Sequence, residues 1–181
     1  MQQKILIGIT GGIAAYKTIE LIHLLKKDGH SVKVILTPTG QQFVTTLTIK
    51  TMSGYSPYLD NQETIADDIE HIELAKWADL MVVAPATANT LAKLAHGLAD
   101  NLLTGTILAL PQKTPLYIAP AMNTRMWDNK ITQTNLKSLK KYYPQIQIIP
   151  PRVSTLACEE TGMGAMATIE EILAVLRKKL K

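Results

Sequence analysis

The sequence has one cysteine, Cys158, among 181 residues, so an internal disulfide is excluded. A lone cysteine suits a reducing, cytoplasmic compartment, because disulfide frameworks belong to oxidising ones. No run of roughly 18 apolar residues occurs, so we expect no membrane span. The apolar run at residues 5–7 is broken by Gly8 too early for a signal peptide. Basic residues form a run only at Arg177 to Lys179, and a net charge of +4 predicts no nucleic-acid binding.

Hydrophobic residues are abundant and charged residues are evenly spread. They make up 46% and 19% of the chain, which allows a sizeable core and argues against disorder. This length fits one domain over residues 1–181.

Short apolar runs alternate with longer segments of helical spacing. The apolar runs are Ile5–Ile9, Val32–Leu36, Leu80–Ala84, Leu116–Ala119 and Ile146–Ile149, and the helical segments are Ile13–Asp28, Ala88–His96, Asn101–Leu110, Asn129–Tyr143 and Thr168–Lys179. Continuous apolar runs are typical of strands buried on both faces of a parallel sheet. The order predicts a doubly wound α/β fold, Rossmann-like or flavodoxin-like, with helices on both faces. Ligands bind at the carboxyl edge of such sheets.

A glycine-rich turn follows the first predicted strand. Gly11, Gly12 and Ile13 lead into a helix, whose first N–H groups can hold a phosphate. The spacing matches neither the dinucleotide fingerprint nor the P-loop. The second strand ends at Thr37 without the acidic residue that usually holds a ribose, so a phosphate or a smaller nucleotide fits better. A tight turn without a ligand is the alternative.

Two further loops are predicted at the same edge. Residues 85–90 are small and polar, which permits close approach of a flat ring, although Thr87 or Asn89 could simply cap the next helix. After the fourth strand, Asn123 carries donors and acceptors suited to an amide or a carboxylate. A loop asparagine also forms turns, so that reading stays open.

Together these loops and the segment around Cys158 resemble the homo-oligomeric flavin-containing cysteine decarboxylases, over nearly the whole chain. Within that family the chain looks most like the members that act on 4′-phosphopantothenoylcysteine. The resemblance implies FMN as cofactor and conversion of this small-molecule substrate to 4′-phosphopantetheine in coenzyme A biosynthesis. It also implies a homotrimer, or a dodecamer of four trimers.

The resemblance assigns roles to individual residues. FMN would be bound by Gly11, Gly12, Ile13, Thr37, Pro85, Ala86, Thr87, Asn89 and Thr90. The substrate would contact Phe43, Asn123 and Met126. His71, Asn123 and Cys158 would be catalytic: His71 assists oxidation, Asn123 holds the carboxylate, and Cys158 supplies a proton in the reductive half.

The residues themselves give partial support for two of these roles. His71 opens an apparent helix, where the positive end of the dipole favours a neutral imidazole that can act as a base. Glu159 and Glu160 follow Cys158 and should keep its thiol protonated, as a proton donor requires. The histidines and the cysteine show no metal-ligand spacing, so no metal site is expected.

The chain departs from the family pattern at two positions. Glu159 stands where many relatives have glycine, and Ala165 stands where bacterial relatives often have arginine. Many relatives are fused to a synthetase, and a stand-alone decarboxylase is expected here. The alternatives are a peptidyl-cysteine oxidative decarboxylase, a flavin prenyltransferase, and a non-catalytic FMN-binding regulatory protein or electron carrier.

Overall fold

The computed structural model describes residues 2–60, 70–155 and 161–180. The strands are β1 (Lys4–Ile9), β2 (Ser31–Leu36), β3 (Tyr58–Leu59), β4 (Leu80–Ala86), β5 (Leu116–Pro120), β6 (Ile146–Ile148), β7 (Arg152–Thr155) and β8 (Thr161–Ala165). The α-helices are α1 (Ala15–Lys27), α2 (Thr46–Ser53), α3 (Glu70–Trp77), α4 (Ala88–Ala95), α5 (Leu102–Leu108), α6 (Thr124–Asp128), α7 (Lys130–Tyr142) and α8 (Ile169–Arg177). A 3-10 turn spans Gly40–Gln42.

The strands β1 to β6 form a parallel sheet in the order β3-β2-β1-β4-β5-β6. Alternate residues of β1 point to opposite faces, because successive side chains of a strand alternate. Ile5 and Ile7 therefore pack with α1 and α8, whereas Leu6 packs with α4, α5 and α7. The predicted doubly wound α/β fold is confirmed, with helices on both faces.

All five predicted strands and all five predicted helices are present, with small shifts at their ends. The predicted C-terminal cap of α1 is also confirmed. Gly29 has a φ of +88° and donates its N–H to the Lys26 carbonyl at 3.0 Å, a conformation that glycine adopts without strain.

Several short elements were not predicted. Strand β3 has only two residues, and the antiparallel hairpin β7–β8 lacks a clear apolar alternation. Helix α6 has five residues, too few to show a helical period. None of these elements is long or regular enough to leave a clear periodic pattern in the sequence.

No helix among residues 2–60, 70–155 and 161–180 is long and apolar enough to cross a membrane.

Strand β4 is irregular at its carboxyl end, where its register to β5 shifts between Val83 and Ala86. Two threonine hydroxyls satisfy the carbonyls that leave the ladder there. Thr18 donates to the Ala84 carbonyl at 2.8 Å, and Thr10 donates to the Pro85 carbonyl at 2.7 Å. Buried carbonyls need such partners, so these bonds fix the loop that follows β4.

Candidate functional site

The three predicted loops do meet at the carboxyl edge of the sheet. The Thr10 hydroxyl also accepts a hydrogen bond from the Thr87 N–H at 3.2 Å, which ties the end of β1 to the loop after β4. That loop is tied in turn to the loop after β5, since the Ala121 N–H donates to the Ala86 carbonyl at 3.0 Å. Thr10 was not singled out from the sequence, because a buried threonine carries no distinctive local signal.

The glycine turn lies against the end of β2. A side chain at Gly11 would place its Cβ 2.5 Å from the Thr39 Cβ, so only glycine allows this approach. Thr37 is buried and its hydroxyl is engaged, because it donates to the Ile9 carbonyl and accepts from the Gly40 N–H, both at 3.2 Å. Thr39 is exposed, and its hydroxyl is the more available of the two.

A cavity of about 340 Å³ opens beside these threonines. We call it the threonine cavity; its lining includes Thr37, Thr39, Asp60, Thr87, Asn89 and Thr90. Thr87 caps α4 by accepting from the Thr90 N–H at 3.2 Å, as the structural reading of that loop predicted. Asn89 is exposed in the first turn of α4. The structure thus brings four of the predicted cofactor residues into one lining.

Asp60 is a lining residue that sequence reasoning missed. One of its carboxylate oxygens accepts a hydrogen bond from the Leu102 N–H at the start of α5. The other oxygen, Oδ2, is buried without a hydrogen-bond partner among the described residues. A buried carboxylate oxygen without a donor is costly, so this atom is a suitable acceptor for a hydroxyl or N–H donor of a ligand.

An ion pair borders the threonine cavity. Lys93 Nζ lies 2.7 Å from Asp100 Oδ2. The hydrogen bond from Lys93 is the main reason that the pKa of Asp100 lies below its usual value, and the Asn101 amide adds to the effect. Asp100 therefore stays negatively charged at neutral pH.

His71 lines a different cavity, of about 450 Å³, which we call the histidine cavity. Gly105 lies opposite the imidazole, where an added Cβ would sit 3.7 Å from His71 Cγ. Asp100 and Asn101 line both the histidine cavity and the threonine cavity, so the two adjoin. Beside His71, the pKa of Glu70 is raised by burial and then by the negative charge of Asp60.

Asn123 lines a third cavity, of about 350 Å³, together with Gly12, Ile13, Lys17 and Arg152. We call it the hairpin cavity, because strands β7 and β8 form one wall. Asn123 Oδ1 caps α6 by accepting from the Met126 N–H at 2.8 Å. That bond uses the acceptor and fixes the side chain, while the Nδ2 donor makes no hydrogen bond within the described part of the chain.

The hairpin packs directly on the loop that carries Asn123. The Met122 N–H donates to the Gly164 carbonyl at 3.0 Å. A side chain at Gly162 would collide with Thr124, and one at Gly164 would collide with the Met122 carbonyl. Ala165, one of the two departures from the family pattern, pairs with Arg152 across the hairpin.

Gly164→Ala is expected to lower the free energy of unfolding by about 2 to 4 kcal/mol. Two effects add: Gly164 has a φ of +152°, which is strained for any other residue, and the new Cβ would meet the Met122 carbonyl. Urea denaturation measures this loss. Gly97→Ala is the matched control, because Gly97 also has a positive φ but open space around its Cβ. A loss at Gly164 no larger than that at Gly97 would contradict the packing argument.

Other predicted site residues lie elsewhere. Pro85 and Ala86 are buried at the end of β4 and act through their backbone. Phe43 and Met126 are 41% and 44% exposed and line none of these three cavities, so their substrate contacts remain predictions.

Cys158 and Glu159 lie outside the described residues. In the sequence they belong to residues 156–160, which connect β7 to β8.

Across the described ranges, no three His, Cys, Asp or Glu side chains cluster in a way that could hold a metal ion.

The family model described as Flavoprotein matches residues 1–181. The chain is 46% identical over 183 residues to a probable phosphopantothenoylcysteine decarboxylase from Streptococcus mutans, covering 99% of this chain and 100% of that protein. It is also 46% identical over 177 residues to the coenzyme A biosynthesis bifunctional protein CoaBC from Haemophilus influenzae, covering 96% of this chain and 43% of that protein.

Solved structures agree in fold. A PPC decarboxylase Cys-to-Ser mutant complexed with pantothenoylaminoethenethiol matches with a TM-score of 0.88 and 36% identity, over 99% of both chains. The FMN binding protein AtHal3 matches with a TM-score of 0.84 and 37% identity, over 99% of this chain and 97% of that one.

Proposed function

The chain belongs to the Flavoprotein family, and we propose that it is an FMN-dependent carboxy-lyase that converts 4′-phosphopantothenoylcysteine to 4′-phosphopantetheine in coenzyme A biosynthesis. The names of its relatives bear out the family, activity and cofactor expected from the sequence. One observation carries the proposal. Asn123, the residue expected to hold the substrate carboxylate, lines one cavity with the glycine turn and with strands β7 and β8, and Cys158 falls between these two strands in the sequence.

The threonine cavity and the glycine turn fit FMN. Oδ2 of Asp60 has no hydrogen-bond donor within residues 2–60, 70–155 and 161–180, and the ribityl hydroxyls of FMN are donors. The close approach of Gly11 to Thr39 leaves the turn without a protruding side chain, as backbone binding of a phosphate requires. We therefore assign the ribityl phosphate to Gly11, Gly12 and Thr39, and the ribityl chain to the threonine cavity beside Asp60.

When bound, FMN would supply the hydride acceptor and donor that this reaction needs, for oxidation of the cysteinyl CH₂–SH group to a thioaldehyde and for the later reduction. His71 takes the thiol proton during the oxidation. Asn123 Nδ2 holds the carboxylate, which leaves as CO₂ once the adjacent thioaldehyde can accept the electron pair. Cys158 then protonates the enethiolate carbon, and with the returned hydride the product is the saturated thiol. The net reaction is redox-neutral.

The position of His71 supports a homo-oligomer, which we propose is a trimer or a dodecamer of trimers. His71 lines the histidine cavity, not the hairpin cavity with Asn123. Leu98 and Leu108 near that cavity are each 53% exposed, and exposed apolar groups of this size suit a subunit contact. In such an oligomer, His71 of one subunit would serve the flavin that is bound to the adjacent subunit.

The test is to incubate the FMN-loaded protein with 4′-phosphopantothenoylcysteine anaerobically and identify products by mass. We expect CO₂ and 4′-phosphopantetheine without an added oxidant, because the hydride returns to the substrate. A yellow protein that yields neither product would overturn the proposal in favour of an electron carrier. Accumulation of the oxidised enethiol by the wild type would instead favour a peptidyl-cysteine type of oxidative decarboxylase.

A further inference from the structure

The hairpin cavity has a positive lining. Lys17 and Arg152 both line it, and its described lining residues include no Asp or Glu. The cavity also offers the Asn123 amide, which is neutral. Such a lining favours an anionic ligand, because unpaired cations at a partly enclosed wall gain most from a negative partner.

Arg152 is the less satisfied of these cations. Its Nε is buried and has no hydrogen-bond partner among residues 2–60, 70–155 and 161–180. Lys17, by contrast, stacks 5.8 Å from the ring centroid of Tyr16. A buried guanidinium N–H without an acceptor is destabilising. An anion bound in the hairpin cavity would accept this hydrogen bond and remove that cost.

We infer that Arg152 binds the terminal phosphate of the substrate, and this inference rests on the proposed function. The substrate carries two anionic groups, a reacting carboxylate and a phosphate that does not react. A cation on the carboxylate would stabilise the ground state more than the transition state, in which that charge departs as CO₂. The neutral Asn123 amide suits the carboxylate, and the guanidinium suits the phosphate, which it can bind through two N–H groups.

Arg152 and Cys158 belong to the same stretch of sequence, which runs from β7 to β8. Arg152 opens β7 and pairs with Ala165 of β8, and residues 156–160 between these strands contain Cys158. A phosphate bound by Arg152 is therefore held by the same hairpin that carries the proton donor. Arg152 acts as a residue for substrate specificity rather than as a group that touches the reacting atoms.

The experiment compares 4′-phosphopantothenoylcysteine with dephosphorylated pantothenoylcysteine in Arg152→Gln. The kcat/KM for the phosphorylated substrate should fall about 10- to 100-fold, mainly through KM, since the phosphate keeps its charge throughout the reaction. The value for the dephosphorylated substrate should change less than about threefold. Arg152→Lys should recover part of the loss, because it keeps the charge but not the planar fork.

Lys137→Gln is the control for loss of one positive charge, because Lys137 is exposed on α7 and lies outside the hairpin cavity. Its preference between the two substrates should match the wild type. If Arg152→Gln lowers kcat/KM equally for both substrates, or for neither, the phosphate assignment is wrong.

A binding measurement separates this inference from the proposed function. Calorimetry on the FMN-loaded protein compares 4′-phosphopantetheine with pantetheine, with no turnover required. A preference for the phosphorylated ligand that disappears in Arg152→Gln supports the phosphate site even if the wild type shows no decarboxylation. An active wild type with no such preference keeps the proposed function and overturns the site.

Discussion

Replacing His71 by asparagine is expected to lower kcat by about 10³-fold, because a general base contributes roughly 10² to 10⁴ to such a step. FMN binding should be unchanged, since the residues assigned to the ribityl phosphate lie at the glycine turn and the threonine cavity rather than beside His71. Flavin absorbance and single-turnover reduction by substrate measure the two effects separately.

His23→Asn is the matched control for this substitution. His23 is exposed on α1, and its replacement should leave both flavin content and kcat at wild-type values. Normal flavin reduction in His71→Asn would remove His71 from the oxidative half. Loss of FMN from that variant would show instead that the histidine cavity holds part of the cofactor.

The same variant tests the oligomer. If a neighbouring copy supplies His71, mixing His71→Asn with Asn123→Ala should create some sites with both wild-type residues. Random exchange between subunits of a cyclic oligomer predicts about a quarter of wild-type activity. Mixtures that stay inactive after subunit exchange would place both residues at the same copy's site.

The second large effect is expected at Cys158. Cys158→Ser should still release CO₂, but the product should be the oxidised enethiol, lighter than 4′-phosphopantetheine by one hydride and one proton. Serine is a much weaker acid than cysteine, so the proton for the reductive half is missing. Mass spectrometry identifies the product, and the flavin should remain reduced after one turnover.

Glu159→Gly is the control in the same segment, because it changes the residue next to Cys158 and keeps the thiol. It should still form 4′-phosphopantetheine. Normal amounts of that product from Cys158→Ser would mean that another group donates the proton.

Local sequence pattern identifies the buried elements of this chain but not its isolated polar residues. Strand β4 was predictable because a short, continuous apolar run is typical of a strand that is buried on both faces of a sheet. The glycine turn was predictable because it joins a buried strand to a helix. Asp60 was not predictable: its contact with the Leu102 N–H joins residues 42 positions apart, and no periodicity marks a single polar residue.

Asn123 and Arg152, which are proposed to bind opposite ends of the substrate, also differ in how far the sequence could predict them. Asn123 could be named from its place after a predicted strand, although its role as the cap of α6 required coordinates. Arg152 could not be named, because the hairpin β7–β8 has no clear pattern and packs on Met122 and Thr124, which are distant from it in the sequence. The local pattern therefore pointed to Asn123 but not to Arg152, although both line that cavity.

The sequence by itself determined the alternation of buried strands and helices, the edge at which the loops meet, and the glycine turn after the first strand. Burial of strands and helices gives a recognisable hydrophobic pattern in the sequence, and a tight turn is recognisable from its glycines. Only the tertiary structure decided that Asp60 lines the threonine cavity with an oxygen that has no partner among the described residues, that Arg152 lines one cavity with Asn123, and that His71 lines another. Those relations join distant segments through strand order and packing, which no local pattern in the chain records.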